Sequence, residues 1–520
     1  MSDMNRRDFI RAGVASGAAV SALGCDPAED VQSVSESGTP FSSPEFRLEE
    51  LTIEDLGGGL SSGDWTCRAL TEMYLERIEA LDRRGPSLYS ILEVNPDALS
   101  IADGLDRELR GGRRRGPLHG IPIVLKDNID TADRMTTTAG STALRGSTPL
   151  RDAYIADKLR EAGAVLLGKA NMSEWAGFKS FQRGTSGWSG RGWDGGRGGL
   201  CKNPYALDRT PGGSSSGSGA ATAANLAAAA IGTETDGSIV GPSSRNCLVG
   251  LKPTIGLMSR GGIIPIAHSQ DSAGPMARSV RDVAIMLGTM TGVDERDPLT
   301  TPSLGNSVTD YSSFCDPAGL GGARIGVARG YMGSDERVDR LLEDALDVMR
   351  AEGATILDPI ELPEELRFGN EHEMEVLYHE FKADLNNYLQ SLGPDAPIRS
   401  LEELIDYNEQ SADLELSLFG QDLLIASQER GPLTDQRYIT ALSTSHRLSR
   451  DEGIDRVMQA QQIDAIVGPT SGIPAPGDYT GSSSGSGGGC STPAAMAGYP
   501  NMTVPMGFLF GLPVGMSLFG

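Results

Sequence analysis

Three residues combine side chains and sequence surroundings that could support nucleophilic chemistry: Lys126, Ser214 and Ser238. Ser214 lies in the stretch PGGSSSGSG, which begins at Pro211, and Ser238 lies in GTETDGSI, which begins at Gly232. Lys126 ends the apolar run GIPIVLK, where a lysine is unusual because burial of an ammonium group is costly. A serine hydroxyl can attack a carbonyl carbon when a base removes its proton, so these residues are candidates for that reaction.

Lys126 is the best candidate for the base. The chain contains 5 histidines, and none lies in a motif that pairs serine with histidine. We expect two of them, His372 and His379, to lie on a helix surface, without the spacing of metal ligands. Lys126 must be neutral to accept a proton, and lowering its pKa from about 10.4 to about 7.5 costs roughly 4 kcal/mol. Burial can supply a shift of this size.

Apolar runs of helix and strand length alternate from about residue 46 onward. The patterns predict helices over 70–82, 153–162 and 279–292, and buried strands over 120–127, 164–169 and 463–470. Such alternation predicts an α/β fold, in which a central, mixed and twisted sheet is covered by helices on both faces within one large domain. An alanine-rich segment, 219–230, follows the Ser214 turn and predicts a slim helix that can lie close to neighbouring backbone.

Five segments together resemble the amidase signature family: GIPIVLKDN from Gly120, PGGSSSG from Pro211, GTETDGSI from Gly232, GLKPT from Gly250 and GPMAR from Gly274. Their order, and the 24 residues that separate the two serines, are those of the family. The resemblance runs from about residue 48 to the last residue. Within the family, the segments SGWSGRG, GTETDGSIV and SRGGIIPIAHSQDSAGPMARS are most similar to bacterial peptide amidases, which remove ammonia from the C-terminal amide of a peptide.

The resemblance implies a Ser–Ser–Lys triad. Ser238 would attack the amide carbonyl carbon, and Ser214 would pass the proton to Lys126 and later to the leaving amine. The peptide bond between Gly213 and Ser214 would be cis, and Ser215 would be a hydrogen-bond partner next to the triad.

The resemblance also implies an oxyanion site made of backbone N–H groups. They would belong to Thr235, Asp236, Gly237 and Ser238. This mechanism needs no metal or organic cofactor, and the sequence contains no cluster of ligand residues that suggests one. We therefore expect neither, and we interpret Asp271 and Arg278 as structural residues.

The substrate is open at this point. Peptide C-terminal amides are favoured, with aryl or aliphatic and fatty amides as the alternative. Many family members have Gly in place of Asp236 and Arg in place of Val240, so substrates of other branches do not transfer directly. An inactive exported peptide-binding protein is the alternative of another class. A formal net charge of −25 disfavours a nucleic-acid partner. This charge and the N-terminal export signal both argue that the protein is not the amidotransferase component used in tRNA charging.

Other motifs in the sequence are interpreted as structural. The string GSSSGSG recurs from Gly481, but nothing periodic follows it, so 480–490 is predicted to be a loop. Residues 213–217 fit GxSxG with Ser215 at the centre, yet a turn-rich segment precedes them where a strand is required. Residues 190–195 fit GxGxxG but neither follow a strand nor open a helix. The surrounding loop, 184–200, is expected to form part of the cleft wall, where Trp188 or Trp193 could touch substrate but more simply packs the loop.

The N-terminus has the features of an export signal. Arg6 and Arg7 form a twin-arginine pattern, and a mildly apolar run follows over 12–24, so residues 1–24 are predicted to be a Tat-type signal peptide. Residues 22–25 resemble a lipobox in which Cys25 would be lipidated, although Ala22 stands where leucine is usual. Residues 25–47 are rich in serine and acidic residues and predict a disordered tether. The folded domain, 48–520, would then work in the periplasm or anchored outside the cytoplasmic membrane; the oligomeric state is left open.

The sequence also gives expectations for the cysteines and for the C-terminal segment. The 6 cysteines include no CxxC pair and no zinc-binding spacing, so most are expected to be buried or incidental thiols.

Members of the family usually continue for about one more helix after the position of Gly520. We therefore expect apolar surface to be exposed near 503–519.

Overall fold

The computed structural model describes residues 46–181, 186–192, 199–367, 369–477 and 489–520. The predicted signal peptide, Cys25, the tether up to residue 45, Trp193 and most of the second Ser-rich segment lie outside these residues. Within the described part of the chain, no helix is long and apolar enough to span a membrane.

A single mixed sheet forms the centre of the molecule. Its strands are β1 (Ile91–Val94), β2 (Pro122–Lys126), β3 (Val165–Ala170), β4 (Ala229–Glu234), β5 (Val249–Lys252), β6 (Ser272–Ala277), β7 (Arg324–Ala328), β8 (Thr355–Ile360), β9 (Ala465–Pro469), β10 (Asn501–Leu509) and β11 (Leu512–Phe519). Their order across the sheet is β1-β3-β2-β4-β6-β5-β10-β11-β9-β7-β8. The pairs β3–β2, β2–β4, β9–β7 and β7–β8 are parallel, and the other pairs are antiparallel.

Helices surround the sheet and connect its strands. They are α1 (Ile53–Ser62), α2 (Cys67–Arg77), α3 (Ala98–Arg110), α4 (Tyr154–Glu161), α5 (Ser216–Ala223), α6 (Val240–Arg245), α7 (Val280–Met290), α8 (Glu336–Ala351), α9 (Glu371–Ser391), α10 (Leu401–Gln410), α11 (Ala412–Glu415), α12 (Asp422–Gln428), α13 (Gln436–His446), α14 (Asp455–Gln461) and α15 (Thr492–Ala497). Two π-helical segments, Ile78–Arg84 and Arg447–Ile454, extend α2 and α13.

The central strands are covered on both faces. Every residue of β2, β3, β4, β5 and β6 is buried. Successive side chains of a strand point to opposite faces of a sheet, so complete burial requires a layer on each side. The α/β fold expected from the sequence is confirmed.

The alanine-rich segment 219–230 differs from the predicted continuous helix. The alanine-rich helix α5 ends at Ala223, and residues 229–234 form strand β4 instead of continuing the helix to 230. Asn225 has φ +58° and turns the chain out of the helix. The small alanines of β4 then pair with β2 and β6 in the centre of the sheet, where burial outweighs their helix propensity.

Two further expectations are changed by packing. His379 does not lie on a helix surface: it is 1 % exposed, its Nδ1 lies 2.9 Å from the Glu375 carbonyl oxygen, and its ring packs against Tyr438. The C-terminal hairpin is also less exposed than expected. Most side chains of β11 are buried, and the large exposed apolar side chains near it are Phe508 and Phe510, at the turn end.

Candidate active site

Lys126 lies at the C-terminal end of β2 and is completely buried. Its Nζ atom is 2.7 Å from Ser214 Oγ, 2.9 Å from Thr233 Oγ1 and 3.0 Å from the Thr233 carbonyl oxygen. Burial lowers the pKa of Lys126 to about 7, while the carboxyl groups of Asp271 and Glu234 oppose the shift. A large fraction of this lysine is therefore neutral near pH 7, and the neutral amine can accept a proton from Ser214.

Ser214 is held in the turn that leads into α5. The peptide bond between Gly213 and Ser214 is cis, as the resemblance implied. The Ser214 carbonyl oxygen accepts a hydrogen bond of 3.0 Å from the backbone N–H of Ser173. A Cβ atom on Gly213 would lie 2.5 Å from Ser173 Oγ, so glycine allows this close approach of the two loops.

Ser238 occupies a second turn, between β4 and α6, and is partly exposed. Gly237, directly before it, has φ +73°, a conformation that favours glycine. The backbone N–H of Ser215 donates a hydrogen bond of 3.2 Å to the Ser238 carbonyl oxygen. The fold thus brings the Ser214 turn, the Ser238 turn and the end of β2 together, as a reaction that uses all three residues requires.

The side chains of residues 234–236 form hydrogen bonds with other groups of the protein. Glu234 Oε2 accepts hydrogen bonds from the N–H groups of Ile239 and Val240, at 2.6 and 2.9 Å, at the start of α6. Thr235 Oγ1 donates to Asp271 Oδ1 at 2.6 Å, and Asp236 Oδ2 accepts from Thr492 Oγ1 at 2.7 Å. These bonds determine the path of the turn independently of any ligand.

Ser215 and Asp271 form hydrogen bonds with backbone groups next to the site. The Ser215 hydroxyl donates to the Thr233 carbonyl oxygen at 3.1 Å and accepts from the Thr233 N–H at 3.2 Å. Asp271 Oδ2 accepts from the N–H groups of Ile266 and Ala267, and burial raises the pKa of Asp271 to about 6. Arg278 donates to three backbone carbonyl groups away from the triad, in a structural role.

Sequence reasoning overlooked three residues of this site. Thr233 contacts Lys126 through both its hydroxyl and its carbonyl group, Asn128 Nδ2 donates to Thr233 Oγ1 at 3.0 Å, and Ser173 holds the Ser214 loop. Thr233 and Asn128 lie inside two of the quoted family segments, so their proximity to the candidate residues was a usable signal. Ser173 had no such signal.

A cavity of about 420 Å³ lies beside the site. Its lining includes Asn128, Thr233, Thr235 and Asp271, whereas Lys126, Ser214 and Ser238 do not line it. Trp188 does not line this cavity; it is buried and packs edge-on against Phe419 with ring centroids 5.1 Å apart. The cavity therefore offers space for a ligand beside the candidate residues, and Trp188 has the packing role.

Among the residues that the structure describes, one group of side chains near this cavity has ligand atoms close enough to hold a metal ion. His268, Glu380 and Asp384 place these atoms within 4.8 Å of one another. His268 Nδ1 lies 2.8 Å from Asp384 Oδ2, and its Nε2 lies 3.4 Å from Glu380 Oε1, so the three groups pair with each other. Hydrogen bonding to Asp384 and the two negative charges raise the pKa of His268 against the effect of burial.

Comparison with known proteins assigns the family. The family profile named Amidase matches residues 69–520. The crystal structure of the native peptide amidase from Stenotrophomonas maltophilia is 48 % identical, with a TM-score of 0.85, over 92 % of this chain and 94 % of that one. A "probable amidase" of Arabidopsis thaliana is 39 % identical over 92 % of this chain and 88 % of its own length.

A more distant relative has a different role. It is one component of the glutamyl-tRNA(Gln) amidotransferase of Alkalilimnicola ehrlichii, and it is 34 % identical over 91 % of this chain and 94 % of its own length. The similarities to single proteins cover 91 % or 92 % of this chain, and the residues that the family profile matches, 69–520, include Lys126, Ser214 and Ser238. The chain belongs to the amidase signature family and is a hydrolase that acts on amide C–N bonds.

Proposed function

We propose that the protein is a peptide amidase that hydrolyses C-terminal amides of peptides to the acid and ammonia with a Ser238–Ser214–Lys126 triad. The main support is the 2.7 Å contact between the buried Lys126 Nζ and Ser214 Oγ, in a chain that is 48 % identical to a peptide amidase. Identity to the tRNA amidotransferase component is lower, at 34 %.

In the proposed reaction, Ser238 Oγ attacks the amide carbonyl carbon. Its proton moves to Ser214 while the Ser214 proton moves to the neutral Lys126. The oxyanion is stabilised by backbone N–H groups of residues 235–238. Collapse of the tetrahedral intermediate breaks the C–N bond, and the proton returns through Ser214 to the nitrogen, which leaves as ammonia. Water then attacks the acyl-Ser238 ester by the same route and releases the acid.

The test is ammonia release from a short peptide with a C-terminal amide. We expect release by the parent, and losses of about 10⁴-fold or more for Ser238→Ala and about 10²- to 10⁴-fold for Ser214→Ala. Ser482→Ala is the matched control, because Ser482 has the same place in the repeated GSSSGSG string and should be replaceable without effect.

The alternatives give different results in the same assay. Release from aryl or aliphatic amides without release from peptide amides would assign another substrate class to the same triad. No release from any amide, together with binding of peptides that Ser238→Ala leaves unchanged, would favour the inactive binding protein. Full activity of Ser238→Ala would refute the triad.

We also propose export through the twin-arginine route, to the periplasm or to a membrane anchor at Cys25. The support is the Arg6–Arg7 pattern followed by a short apolar run. Cell fractionation of the full chain and of a form with both arginines replaced by lysine tests this, since only the parent should leave the cytoplasm.

A further inference from the structure

Glu373 is a buried acid that the proposed reaction does not use. It lies in the first turn of α9, its exposed fraction is 0 %, and its two oxygens accept hydrogen bonds from the Gly369 N–H (3.0 Å) and Gln270 Nε2 (3.2 Å). Among the described residues, no lysine or arginine forms an ion pair with it. A buried carboxylate with only neutral partners is costly, so a proton on Glu373 is favoured.

The group beside Glu373 is the carboxyl group of Asp236, in the turn that precedes Ser238. Asp236 Oδ2 accepts from Thr492 Oγ1, and the Ser491 hydroxyl is a second hydrogen-bonding neighbour of this carboxyl group. Oδ1 is buried and has no partner with hydrogen-bond geometry among the described residues. Two carboxyl groups in contact cannot both be ionised cheaply. Burial and the neighbouring charge of Asp236 hold the pKa of Glu373 well above its usual range. Glu373 is then the partner that carries the proton, and Asp236 Oδ1 is the acceptor.

We propose that Glu373 is a positioning residue of the active site, whose protonated carboxyl group donates a hydrogen bond to Asp236 and so holds the turn 235–238 in place. This inference rests on the proposed function, in which that turn supplies the nucleophile and the oxyanion donors. Asp236 directly precedes Gly237 and Ser238, so a displaced Asp236 displaces the N–H groups that follow it.

The shared proton also limits the charge next to the oxyanion. The pair carries one negative charge instead of two, and the buried Lys252 lies where its charge attracts both Asp236 and Glu234. Two further titratable neighbours of Asp236 in the described part of the chain are the thiol of Cys490 and the phenol of Tyr331, and burial raises the pKa of each, so both are neutral at neutral pH. Loss of the shared proton would place a second negative charge where an oxyanion must form.

The experiment compares Glu373→Ala, which removes the donor, with Glu373→Gln, whose amide can donate in place of the protonated acid. Loss of a whole oxyanion donor costs about 10²- to 10³-fold in kcat, and a displaced turn should cost less. We expect Glu373→Ala to lower kcat by about 10- to 100-fold with KM changed less than about threefold, and Glu373→Gln to keep at least about a third of kcat. Glu371→Gln, on the same helix with an 88 % exposed side chain, is the matched control.

Two readouts do not depend on the choice of substrate. The rate of Ser238 labelling by a fluorophosphonate should follow the same order as kcat, and the infrared carbonyl band of a protonated carboxylic acid should be present in the parent and reduced in Glu373→Gln. If Ser238 of the parent reacts with the fluorophosphonate but the parent releases no ammonia from peptide amides, the proposed function fails. The labelling rate and the infrared band then still test the hydrogen bond between Glu373 and Asp236. Any of three results would overturn the proposal. Glu373→Ala could be labelled at the parent rate, the labelling rate and kcat of Glu373→Gln could fall as low as those of Glu373→Ala, or the infrared band could be unchanged in Glu373→Gln.

Discussion

Lys126 must lose its charge to act as a base, and complete burial at the end of β2 is the main cause of that loss. The nearby carboxyl groups of Asp271 and Glu234 favour the charged form but do not cancel the effect of burial. The result is a pKa of about 7, close to the value at which a base is both available and strong enough to accept a proton.

The pH dependence of hydrolysis follows from this pKa. The neutral amine is the active form and predominates above the pKa, so kcat/KM should rise about tenfold per pH unit below pH ~7 and level off above it. Lys126→Met should lower kcat/KM by about 10²- to 10⁴-fold at every pH. A rate profile of the parent that stays flat through pH ~7, or a methionine variant that keeps the same rise, would contradict the role of Lys126.

At the scale of elements, helix α5 places Ser214 because its first turn packs against other backbone without intervening side chains. A Cβ atom on Gly217 would lie 2.2 Å from the Ser90 carbonyl oxygen and 2.4 Å from the Asn171 nitrogen. Gly217 N–H donates to the Asn171 carbonyl oxygen at 2.7 Å, which ties the helix start to the loop after β3. The lean sequence of this helix is therefore a requirement of packing and not only of flexibility.

Gly217→Ala should destabilise the protein by at least about 2 kcal/mol, because backbone atoms cannot move away from the new methyl group as a side chain could. Gly58→Ala is the control, since its Cβ would meet nothing within 4 Å in α1 and alanine is the better helix former by about 0.5–1 kcal/mol. Chemical denaturation measures both. Equal stability of the two variants would show that the close approach at Gly217 is not maintained in solution.

At the scale of the whole molecule, a buried ion cluster joins the helical segment after β8 to the loops beside the active site. Lys179 Nζ lies 3.0 Å from Glu174 Oε1 and 3.0 Å from Glu415 Oε2, with all three side chains at 1 % exposure or less. Burial and the charge of Glu415 hold the pKa of Glu174 well above its usual range, although Lys179 opposes the shift. One ammonium group and one carboxylate therefore balance each other in the interior.

Lys179→Met should cost about 3–5 kcal/mol of unfolding free energy, because it leaves a buried carboxylate without a cation. Lys158→Met removes the exposed ion pair with Glu161 and should cost less than about 1 kcal/mol. The midpoints of urea denaturation compare the two variants. A cost for Lys179→Met no greater than that for Lys158→Met would show that the cluster does not contribute to stability.

The sequence patterns predicted the fold class and the turns around Ser214 and Ser238, and together with the family resemblance they named the three candidate catalytic residues. Glycine and serine at fixed offsets express backbone requirements that act within a few residues, and they indicated the turns at Ser214 and Ser238. The cis bond at Gly213 was implied by the family resemblance, and the left-handed conformation of Gly237 was seen only in the structure. The spacing of apolar residues likewise predicted β2 and α7.

Which distant groups complete the site depends on tertiary packing. Thr233 lies 107 residues from Lys126 along the chain, and Glu373 reaches Asp236 from a helix that carries no family motif. The end of the alanine-rich helix at Ala223 has the same origin, because pairing of β4 in the centre of the sheet outweighs helix propensity. Burial controls the charge of Lys126 and of Glu373. Because burial arises from packing between segments that are distant in the sequence, local sequence patterns do not predict it.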